Sequence, residues 1–196
     1  ADIAAQVATE MVNANPELMG DIAGGVAQLA PAAAGDVAGA MVEANPDGAA
    51  EMAAAVAETV PGAAGAVAGA IAEADPALAA EAAGAMMEAN PAAAAQAAAG
   101  MANAAPEVAG DVAGAMMEVA MAPDFAAEFA ENAAAANPNL SVEDLEALAG
   151  NFAGNAVGAI AQGMATGDPD IAADMAGVMM EAAMENPDMA GDFVGE

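Results

Sequence analysis

Apolar and polar residues along this chain recur with a period of 15. Proline marks it: Pro16, Pro31, Pro46, Pro61, Pro76, Pro91 and Pro106 stand 15 apart, and Ala1 falls in the same phase. After Met121 the phase shifts by two; Pro123 and Pro138 are again 15 apart, and later units begin at Pro169 and Pro187, so all 11 prolines open a repeat. A fixed internal period of this kind signals a repeat architecture, in which each unit buries its apolar face only against its neighbours. Numbered from the proline, polar residues concentrate at positions 2, 6 and 13. Position 6 holds Asp21, Asp36, Glu51, Glu81 and Asp111, and position 13 holds Glu43, Glu58, Glu73, Glu88 and Glu118. At 100° per residue these positions lie within about 40° of one another, which makes one narrow acidic stripe on a helix. The larger apolar groups take positions 3, 7 and 11, among them Val7, Met11, Ile22, Val26, Val37, Met41, Met52, Val56, Ile71, Met86, Val112 and Met116, and this face is expected to be buried. Ala and Gly fill the flanks, where small side chains let helix backbones approach closely.

Each unit therefore predicts one helix. Proline is favourable at the first helical position, where its missing N–H has no intrahelical partner and its φ is already helical. The residue before it is often Asn or Asp (Asn15, Asn45, Asp75, Asn90, Asn137, Asp168, Asn186), whose side-chain oxygen is expected to cap the first turn. A helix of about 12 residues is about 18 Å long, and the two or so residues left over suffice only for a tight reversal. The expected fold is all-α: an α-solenoid-like stack of short antiparallel helices in two layers, one helix per repeat. Residues 1–122 form the regular part, and 123–196 are divergent helical repeats of the same continuous domain. A capping-box pattern at Ser141-Val142-Glu143-Asp144 starts a longer helix near 141–165, and all four Phe (Phe125, Phe129, Phe152, Phe193) fall in this divergent part.

Charge narrows the function. Across 196 residues there is no Lys, Arg or His against 30 Asp plus Glu, a formal charge of -30. Nucleic acid is excluded as a partner, because holding phosphate requires Lys or Arg, and anionic membrane surfaces are excluded by the same sign. The 59% hydrophobic content is mostly Ala, and no stretch approaches the roughly 18 uninterrupted apolar residues of a membrane span, so no membrane insertion is expected. The sequence opens Ala1-Asp2-Ile3, without Met, as a secreted product does after signal-peptide removal. Lacking Lys and Arg, it offers trypsin-like proteases no site, which suits an extracellular or cell-surface material.

Chemistry has little to work with. Ser141 is the only serine and serves a helix start; without His, Cys or Lys there is no conventional activated nucleophile, so the chain is expected not to be an enzyme and to require no cofactor. The 16 Met sit mainly at core-facing positions 11 and 12, as packing groups and not copper ligands. Side-chain oxygens do gather at the helix ends: Glu43, Asn45 and Asp47; Glu73 and Asp75; Glu88 and Asn90; Glu185, Asn186 and Asp188. A hard cation such as Ca²⁺ would satisfy such carboxylates together with the last helical carbonyls. Solenoids normally protect their ends with polar units, yet here the first unit carries Ile3, Val7 and Met11 and the last carries Met189, Phe193 and Val194. Two different apolar ends joined head to tail do not close into a ring. The expected function is a structural subunit of a self-assembling extracellular filament, sheath or matrix, a homopolymer with divalent cations as further partners. The alternative is a monomeric acidic surface protein that binds Ca²⁺ or associates with mineral.

Overall fold

The computed structural model describes residues 2–122. The units over 123–196 and the longer helix expected near 141–165 lie outside the described residues. Eight α-helices follow one another: α1 (Asp2–Ala14), α2 (Met19–Leu29), α3 (Ala34–Ala44), α4 (Ala49–Thr59), α5 (Ala64–Ala74), α6 (Ala79–Ala89), α7 (Ala94–Ala104) and α8 (Ala109–Met121). Among the described residues there is no strand.

From the second unit to the seventh, each proline opens a 3-10 turn of 3 residues, such as Pro31–Ala33, that runs directly into an α-helix of 11 residues, such as Ala34–Ala44; α8, after the turn Pro106–Val108, has 13. Helical geometry thus takes all of the repeat but one residue, which is more than the 12 expected, and the rod is roughly 22 Å long. The remaining residue, at position 15, is the whole link. It is extended, as at Ala30 (φ -145°, ψ 66°).

This turn also explains why the expected caps are mostly unused. Asn15 and Asn45 make no side-chain cap, whereas Asp75 does, its Oδ1 accepting from the Ala77 N–H at 3.0 Å. Proline has no N–H to satisfy. The N–H at position 3 donates to the carbonyl at position 15, as from Ala33 to Ala30 at 2.9 Å, and that at position 4 donates to the proline carbonyl. One first-turn donor is left, at position 2, and it faces water or a side chain. Asn90 spends its amide elsewhere, donating to the Ala57 carbonyl at 2.9 Å. Asn137, Asp168 and Asn186 lie outside the described residues.

Each helix packs most extensively on the helix two further along, and less on the next in sequence. The odd-numbered helices therefore form one layer and the even-numbered helices the other. Within a layer neighbours run parallel: Gly35 of α3 lies against Ala66 of α5, and Gly39 against Ala70. Consecutive helices run antiparallel, so that Asn45 at the end of α3 reaches the Met19 sulfur at the start of α2, 3.9 Å away.

The core lies between the layers at positions 4, 7, 8, 11 and 12, as in Ala34, Val37, Ala38, Met41 and Val42 of α3. From α3 on, positions 7 and 11 are buried as expected, but Val7 and Met11 are exposed and Ile22 and Val26 half-buried; position 3 departs as well, since Leu18 is exposed and Leu78 and Val108 are half-buried. Helical phase gives the reason for position 3. The point opposite the acidic stripe falls on position 4, whereas position 3 is only about 80° from the stripe's centre. Alanine at positions 4 and 8 is core because the layers approach closely, not because it is large. From Glu17 to Glu118 the acids at positions 2, 6 and 13 are all exposed.

Candidate functional site

The stack is built on a lateral contact between unlike flanks. Positions 5 and 9 of one helix meet positions 6, 10 and 14 of the helix two further on. Thr9 of α1 donates its hydroxyl to the Ala40 carbonyl of α3 at 3.5 Å. A Cβ on Gly20 would lie 3.2 Å from that of Ala55, and one on Gly65 would lie 2.8 Å from the Gln96 carbonyl oxygen. At Gly100 an added Cβ would overlap the Gly65 carbonyl outright. Glycine is required at this crossing of α5 and α7 because backbone touches backbone.

The first described helices leave this pattern unfinished. In α1, Ala8 and Val12 at positions 8 and 12 are buried, but Val7 and Met11 at positions 7 and 11 are 51% and 46% exposed and Ile3 is 78% exposed. In α3, Val37 and Met41 at the same two positions are 1% and 0% exposed. Positions 8 and 12 therefore face the following helix, and positions 7 and 11 face the preceding one. α2 adds Leu18 and Leu29, the latter 90% exposed. Every large apolar side chain that is exposed among the described residues lies in these two units.

Ile3, Val7 and Met11 were singled out in the sequence and are exposed here; Leu18 and Leu29 were not singled out, although Leu29 is the only Leu at position 14 of units 1–8. Met189, Phe193 and Val194 lie outside the described residues. The flank beside this face also carries a departure from the repeat. Position 10 is Glu10 in α1, whereas it is Ala40, Ala70 and Gly100 in α3, α5 and α7.

The helix-end oxygens are dispersed. Glu43, Asp47, Glu73 and Glu88 are exposed, while Asn45, Asp75 and Asn90 are half-buried and make the bonds given above. Among the described residues no group of three or more acidic side chains gathers closely enough to hold a metal ion. Glu185, Asn186 and Asp188 lie outside the described residues. The acids divide unevenly between layers: position 6 is Asp21, Glu51, Glu81 and Asp111 along the even helices, but Gln6, Asp36, Ala66 and Gln96 along the odd ones. One face of the slab is thus richly acidic. Aligning every second unit, at a period of 30, would have exposed this in the sequence. An open groove between α6 and α8 on that face is lined by Glu81, Glu88 and Glu118 with Gly84, Ala115 and Val119.

No helix among the described residues is long and apolar enough to cross a membrane. No known protein family matches the chain, and no curated protein or solved structure matches it.

Proposed function

We propose that this chain is a structural subunit that associates with copies of itself through the apolar face of α1 and α2, building an extracellular filament, sheath or matrix. The observation that supports this reading is the contrast at positions 7 and 11, buried in α3 and exposed in α1. The repeat already shows what covers such a face inside the stack: another copy of the repeat. A contact between subunits that continues the internal one joins unlike surfaces and so propagates.

Magnitudes decide how strong that contact is. Completing the burial of Ile3, Val7, Met11, Leu18 and Leu29 contributes on the order of 5 kcal/mol. The lower estimates of the cost of association are about 4 kcal/mol. The margin is small, and Glu10 reduces it, because a second copy has no Lys, Arg or His to set against a carboxylate. Cations then take the neutralising part, first at Glu10 and more diffusely over the acidic layer. The secreted, non-enzymatic character proposed here draws support from the absence of basic residues and of conventional nucleophile partners.

Negative-stain electron microscopy at about 10 mM calcium, in the range of weak extracellular sites, and again in excess chelator tests the proposal. Filaments in both conditions are expected if the apolar contact suffices, and filaments only with calcium if cations bridge it. Monomers in both, at high protein concentration, would overturn it; calcium binding by those monomers at a defined stoichiometry would favour the acidic surface-protein reading.

A further inference from the structure

The assembly face contains a group with its own chemistry. Met11 is 46% exposed, whereas every other methionine whose side-chain burial is described, from Met19 to Met117, is 1% exposed or less. Sulfur reactivity toward oxidants follows exposure, so the fold shields the core methionines and presents this one.

We propose that Met11 is a modification site for peroxide, and that its sulfoxide closes the α1 face to a second copy. The sulfur lone pair attacks one peroxide oxygen, the O–O bond breaks, the S–O bond of the sulfoxide forms, and the other oxygen leaves as water. Sulfur loses two electrons and hydrogen peroxide gains them. The product carries a strong hydrogen-bond acceptor where the thioether had nearly none. Val7 and Ile3 on the same face carry no side-chain donor, and the Asn15 amide, one turn on, is the neighbouring group able to supply one. A second copy brings no Lys, Arg, His, Trp or Tyr, which leaves only its neutral amides and hydroxyls as side-chain donors. An acceptor buried without a donor is costly. In most proteins a sulfoxide at an interface can recruit a basic or aromatic donor; this composition removes that route.

The consequence for assembly rests on the function proposed above; the selectivity of the oxidation does not. Because a docked partner covers Met11, the modification acts on free chains, and it blocks growth without dismantling what has formed.

The test treats the full chain with dilute hydrogen peroxide before assembly, then maps sulfoxide by mass spectrometry after cleavage at Glu, since trypsin has no site. Met11 is expected to oxidise at least about tenfold faster than Met41 and Met52. Sedimentation is expected to show association weakened about tenfold or more, while Met11→Leu, compared with its own untreated sample, loses no association on the same treatment. Methionine sulfoxide reductase should restore the treated wild type. Equal rates at Met11 and Met41 would overturn the site. Undiminished assembly of the oxidised wild type, or equal loss in treated Met11→Leu, would overturn its role. If untreated wild type stays monomeric in every condition, the assembly reading falls, and the order of oxidation still decides the modification site.

Discussion

α1 and α5 are built to one plan and meet opposite environments. Val7 and Met11 of α1 occupy the positions of Val67 and Ile71 in α5; the first pair is half exposed and the second is fully buried. The same holds for glycine at position 10. Gly25 of α2 has open space around it, while Gly100 of α7 is pressed against the backbone of α5. Burial in this fold is a property of where a unit stands in the stack, not of the unit's own sequence. The repeat makes a complete core only in the interior, and its first two units leave Ile3, Val7, Met11, Leu18 and Leu29 uncovered.

Substitutions at matched positions break or sharpen this contrast. The largest difference is expected between Met41→Ala and Met11→Ala: the first empties a buried site and should cost about 2–5 kcal/mol, the second should leave folding stability within about 0.5 kcal/mol. Urea unfolding of both variants measures it, and equal losses would mean that α1 is covered in solution. Glycine at position 10 comes next, with a change of sign. Gly100→Ala should destabilise by about 1–3 kcal/mol through overpacking, and Gly25→Ala should stabilise by about 0.5–1 kcal/mol through helix propensity; melting temperatures moving in opposite directions would show both. Asn90→Ala removes the amide bond to Ala57 and should cost about 1 kcal/mol, against almost nothing for Asn15→Ala, where no side-chain cap is made. Glu10→Ala should change folding least of all. Its effect belongs to association: sedimentation at low calcium should show it assembling several-fold more readily than wild type, and an unchanged profile would remove Glu10 from the contact.

The period of 15 made the helices, their proline starts, the two layers and the acidic stripe legible, because each depends on positions along one rod. Proline at N1, Glu at position 13 and Met at position 11 are local statements, and the structure keeps them. What was not legible depends on relations between rods. Ala34, Ala38 and their equivalents look like filler in a single helix, yet they are core once the layers close to alanine distance. Asn90 stands where a cap is expected, and its amide donates to a carbonyl 33 residues away, which its neighbours in sequence do not foretell. The open end was half legible: Ile3, Val7 and Met11 betray it by repeating the interior pattern, while Leu18 and Leu29 matter only because α2 lies beside α1. The uneven charge of the two layers is legible only at a period of 30, because the stack turns alternate units to opposite faces.

The one-residue link between helices has a mechanical side. With a single extended residue at each reversal there is no slack to take up tension, so a pull along the stack loads the packing between rods from the outset. The molecule then yields as a ratchet yields, one tooth at a time, each parted unit freeing up to about 50 Å of extended chain. From α3 to α8 the teeth carry similar apolar loads, whereas α1, which buries only Ala8 and Val12, is expected to part first. Rods that separate can re-seat in the same groove, since the surface that receives them is the one they left.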